Sequence, residues 1–94
     1  MPEERILTMH PDGKKGVNIG RDKYEFIRAY ILDTIVRSGE IGFSDLGDLA
    51  VKEISHRFEG RVLWYITTVK LDLEARGIIE RIPKTSPQRL RMVK

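Results

Sequence analysis

Ninety-four residues, 40% apolar and 33% charged, have the balance of one globular domain with a modest core, not of a disordered or membrane chain. No stretch approaches the roughly 18 apolar residues of a transmembrane helix, and without cysteine neither a disulfide scaffold nor a thiolate metal site can form. The net charge of +3 is unevenly placed: residues 77–94 carry +4 and residues 1–76 carry −1, a local basic patch that suits a polyanionic partner.

Met1-Pro2-Glu3-Glu4 lacks the early positive charge and apolar run of a secretory signal, so the expected location is cytoplasmic. Residues 1–20 read as an N-terminal arm, either a hairpin or a docked tail. Ile6, Leu7 and Met9 form a short apolar run, and His10-Pro11-Asp12-Gly13 spells a turn. The remainder, residues 21–94, reads as one domain.

The first helix is expected from about Asp22 to Ser38. Asp22 followed by Glu25 matches a capping box, Tyr24, Ile27, Ile31 and Ile35 recur at helical spacing, and Gly39 supplies the stop. Ile41-Gly42-Phe43 is a brief extended piece. The second helix is expected to start after Ser44 as its N-cap, with Asp45 and Asp48 near the positive end of its dipole. Its stripe is Leu46, Leu49, Ala50, Ile54 and Phe58, and Gly60 breaks it. Two helices joined by so short a turn fit a helix-turn-helix.

The third helix spans about Arg61 to Arg76, with Val62, Ile66, Val69 and Leu73 facing the core and Gly77 as the C-cap residue. Ile78–Ile82 is strand-like, Pro83–Pro87 a turn, and Gln88–Val93 a second strand. In that last strand Leu90 and Met92 alternate with Arg89 and Arg91, so both arginines point away from the core face. The order of elements gives an α+β winged helix: three helices, a short strand and a C-terminal hairpin wing.

Leu73-Glu74-Ala75-Arg76-Gly77-Ile78-Ile79-Glu80-Arg81 resembles the end of the recognition helix and start of the wing in regulators of the multiple-antibiotic-resistance-repressor type. The likeness to a winged helix covers about residues 22–93. More narrowly, His10-Pro11-Asp12-Gly13-Lys14, the run from Trp64 to Gly77 and Pro87-Gln88-Arg89-Leu90-Arg91 are similar to a family of small prokaryotic proteins of unknown function. The first resemblance implies double-stranded DNA as partner, with the third helix in the major groove and the wing along the backbone. It also implies a transcription-associated role.

A wheel of about 100° per residue puts Trp64, Thr67, Thr68, Leu71 and Ala75 opposite the core stripe. On the DNA reading, Arg61, Thr67, Thr68 and Lys70 contact DNA from the helix, and Arg81, Lys84, Arg89 and Arg91 contact it from the wing. Trp64, Leu71 and Ala75, however, form a second apolar stripe, and a helix apolar on two sides is usually covered on two sides. The arm, a second copy or another protein could cover it. The alternative reading is therefore a protein-interaction or dimerisation module that uses Trp64, Leu71 and Ala75. No catalytic residues, metal ligands or cofactor motif emerge: His10 and His56 stand far apart, and Gly13, Gly16 and Gly20 lack the pattern of a phosphate loop.

Overall fold

A computed structural model describes residues 4–93; Lys94, counted above in the basic patch, lies outside the described residues. The chain forms β1 (Arg5–Leu7), β2 (Asn18–Gly20), α1 (Arg21–Ser38), β3 (Glu40–Gly42), α2 (Phe43–Ile54), a 3-10 turn (Ser55–Arg57), α3 (Val62–Ala75), β4 (Ile79–Arg81) and β5 (Arg89–Met92). It is a small α+β domain with three helices and two small antiparallel sheets, an arrangement compatible with the expected winged helix. No helix among the described residues is long and apolar enough to cross a membrane.

The apolar spacing read from the sequence becomes the core. Ile27, Ile31 and Ile35 of α1 meet Leu46, Ala50 and Ile54 of α2 and Val62, Ile66, Val69 and Leu73 of α3, with Ile79 and Leu90 closing one end. In the second sheet β5 lies between β3 and β4, pairing Ile41 with Leu90 and Glu80 with Arg91. The alternation in β5 holds: Leu90 is buried, and Arg89 and Arg91 lie on the other face.

Helix starts differ from expectation. The Asp22–Glu25 capping box is not formed, because Gly20 occupies the N-cap position and offers no side chain. Gly20 is also the last ladder residue of β2, paired with Arg5, so strand runs straight into helix. Arg21 instead bonds Glu25, Nε to Oε1 at 3.0 Å, and its own amide donates to the Glu4 carbonyl at 2.8 Å. Ser44 is not a cap either: α2 begins at Phe43 directly after β3, with Gly42 as N-cap. There the Phe43 N–H donates to the Gln88 carbonyl at 2.8 Å, so the neighbouring hairpin satisfies one of the orphan donors of the first turn.

The end of α3 follows the sequence. Gly77, at φ 74°, lets the Ile78 N–H reach the Leu73 carbonyl (3.0 Å) and the Gly77 N–H reach Glu74 (3.1 Å), a Schellman motif that turns the chain into β4.

Candidate functional site

Helix α3 carries most of the candidate residues, and its sides are covered unequally. Residues 5–20 form a hairpin arm rather than a loose tail. β1 and β2 pair from Arg5↔Gly20 to Leu7↔Asn18, and beyond them Thr8 and Val17 exchange bonds through the Thr8 N–H (2.9 Å) and hydroxyl. The His10–Gly13 turn closes as expected, with the Gly13 N–H on the His10 carbonyl at 3.0 Å.

The arm is fastened to α3 by Asp72, a residue with no accessible surface. One of its oxygens accepts from the Met9 amide at 2.8 Å and the other from the Tyr24 hydroxyl of α1, while the Arg76 guanidinium bridges both, Nε to Oδ2 at 2.9 Å. Sequence reasoning passed over Asp72. Its position beside the buried Val69 and Leu73, with Arg76 one turn on, was the available signal, since a carboxylate on a core flank demands donors. The second apolar stripe is accordingly split. Thr68 and Leu71 line a small cavity of about 90 Å³ against Thr8, Met9, His10, Lys15 and Val17, and Ala75 is half-buried, whereas Trp64 lies outside this cavity.

Gly16 lets the arm close: a Cβ there would stand 1.6 Å from the backbone oxygen of Thr8. Gly16→Ala is therefore expected to break the Thr8–Val17 pairing and raise hydrogen-exchange rates at the Thr8, Met9 and Val17 amides, leaving those of α2 protected.

Burial, with the hydrogen bond to Asp72, raises the Tyr24 hydroxyl from its ordinary 10 to about 12. Below pH 10 the hydroxyl keeps its proton whether folded or unfolded. Between 10 and 12 only the unfolded chain loses it, so this part of the stability falls as pH rises through that window. Ultraviolet titration should show tyrosinate absorbance at about pH 12 that is reduced in Tyr24→Phe. Tyr30, raised to about 12 by burial and a hydrogen bond to Glu53, contributes absorbance in the same range that Tyr24→Phe leaves in place.

The cations expected to face DNA are mostly engaged. Lys70 does not belong to the open face: it is buried, 3% exposed, with Nζ 3.1 Å from Glu74 and 4.8 Å from the Phe43 ring centroid. The same carboxylate meets Arg81 at 3.1 Å. Arg91 pairs with Glu80 at 2.6 Å directly across the sheet in register, and Arg89 reaches Glu40 at 2.9 Å diagonally, two positions from its own register partner Gly42. Lys84, at the hairpin tip with φ 63°, has no carboxylate partner among the described residues. Arg61, exposed at the start of α3, is likewise unpartnered among them. Thr67 is exposed, but its hydroxyl donates to the Leu63 carbonyl at 2.9 Å.

What α3 does present at its N-terminal end is apolar: Leu63 is 55% exposed and Trp64 43%. On the α2 side of this ridge lies a groove of about 310 Å³ lined by Phe43, Ser44, Gly47, Asp48, Leu63, Ile66 and Thr67. On the α1 side a chain of rings continues from Trp64 to Tyr65 (4.9 Å, edge-on), Phe58 (5.0 Å) and Phe26 (5.8 Å). Lys23 sits 5.6 Å over Tyr65, and Arg57 sits 5.8 Å over Phe26.

Among the described residues no three histidine, aspartate or glutamate side chains are grouped to hold a metal ion. Comparison with known proteins finds no match among curated proteins and none among solved structures. Residues 5–90 do match a family model described as a family of unknown function, DUF6958. That span covers all three helices, the α3 surface and both sheets except the last two residues of β5, and the chain belongs to the DUF6958 family.

Proposed function

We propose that this chain is a winged-helix domain serving as a protein-interaction module, with the outward face of the first two turns of α3 as its contact. The succession α1, β3, α2, α3, β4, β5, with β5 between β3 and β4, supports the winged-helix reading. One observation carries the function: where a DNA reader offers donors to base edges, this helix offers Leu63 and Trp64, more than half and nearly half exposed. An exposed tryptophan beside a groove has the character of an interface anchor. The wing argues the same way. Arg81, Arg89 and Arg91 each face a glutamate, so three of the five cations in residues 77–94 have a carboxylate beside them.

Double-stranded DNA binding is the second reading, favoured by Arg61 and Thr67 at the open end of α3 and Lys84 at the tip of the wing. Titration of duplex DNA at two salt concentrations, followed by Trp64 fluorescence, separates the two. The interaction module is expected to leave the fluorescence unchanged. A DNA reader would show an affinity falling steeply with salt, with a slope that shrinks by about one for each phosphate contact removed in Arg61→Ala or Lys84→Ala. That outcome would overturn the proposal.

A further inference from the structure

The α3 face carries its own complement. A projecting ring and a recess share one surface: Trp64 stands beside the groove whose wall includes Leu63 and Thr67. The groove has an apolar floor of Phe43 and Ile66 and a rim of Ser44, Asp48 and Thr67. This combination suits an indole, which needs apolar contact for its rings and one acceptor for its single N–H. Charge is divided in the same sense. On the groove side Asp48 of α2 is exposed, whereas across the Trp64–Tyr65 ridge stand Lys23 and, further along the ring chain, Arg57.

An acidic flank, an apolar centre and a basic flank in that order form a surface that matches itself after a half-turn. In a two-fold contact residue i meets j and j meets i, so each Trp64 enters the other copy's groove and each basic flank meets the other's Asp48. From this we infer that the partner of the α3 face is a second copy of this chain, in an isologous dimer built on Trp64 and the α2–α3 groove. The inference rests on the interaction-module reading and names its partner.

Charge reversal tests the two-fold directly. Sedimentation equilibrium of the full chain is expected to show a dimer, and Asp48→Lys or Lys23→Glu, each placing like charges together twice per dimer, should weaken it by roughly tenfold or more. Mixing the two variants creates a heterodimer in which both contacts are again opposite in sign, and association should return to within about threefold of wild type. Trp64→Glu should be monomeric in any mixture. Circular dichroism of each variant establishes that it is folded, and Ser38→Lys, away from this surface, should dimerise like wild type.

A wild-type chain that stays monomeric into the high micromolar range would overturn the dimer, as would a mixture no tighter than its components. Failure of the module itself reads differently. It would appear as salt-dependent quenching of Trp64 by duplex DNA, whatever the chain's mass.

Discussion

Asp72→Ala is expected to destabilise the domain by about 3–5 kcal/mol, the range for removing one partner of a buried charged network. The carboxylate is fully buried and serves donors from three parts of the chain: the Met9 amide of the arm, the Tyr24 hydroxyl of α1 and Arg76 of α3. Alanine leaves all three without their acceptor and Arg76 without its counter-charge. Against a typical domain stability of about 5–15 kcal/mol, the loss is large. Chemical denaturation followed by circular dichroism measures it. Asp72→Asn, which keeps an acceptor oxygen, should cost less, and Tyr24→Phe, which removes one donor, about 1–2 kcal/mol. A loss below about 1 kcal/mol for the alanine variant would show that the arm is not held in this way.

Glu74→Ala should have a comparable effect for a different reason. The Glu74 side chain is only 6% exposed and neutralises Lys70, which burial pulls below its ordinary value despite Glu74's opposing effect. Removing the carboxylate strands an ammonium between Phe43 and the helix, at a cost of about 3–5 kcal/mol. The paired replacement Lys70→Met with Glu74→Leu should be close to neutral or mildly stabilising, because both desolvation penalties vanish together. Thermal unfolding of the three proteins decides the matter. If the double variant is as unstable as Glu74→Ala, the ion pair contributes more than an apolar contact of similar volume.

The helices and the C-terminal hairpin were legible because each depends on local chemistry. Val62, Ile66, Val69 and Leu73 keep one face through four turns of α3, Gly77 ends it, and the alternation of Leu90 and Met92 with two arginines can lie only one way on a sheet. The starts of α1 and α2 were misread because both caps fall on glycines at strand ends, Gly20 and Gly42, where the strand or the adjacent hairpin does what a cap does. Trp64 stands out at the open end of α3, but charge counting along the sequence could not show that Glu40, Glu74 and Glu80 return beside the arginines. Those pairings arise from strand register and the turn after α3, which join residues up to 49 positions apart. Asp72 was missed for the same reason: its arm partner is 63 positions away.

That separation also sets an order of events during synthesis. The arm leaves the ribosome before α3, and the carboxylate that captures it is made more than sixty residues later, so the Met9 contact waits for α3 and closes a wide loop. Until α3 emerges, the nascent hairpin leans on α1 beside Ile6 and Ile19, and native protection of the arm marks a chain that has reached α3.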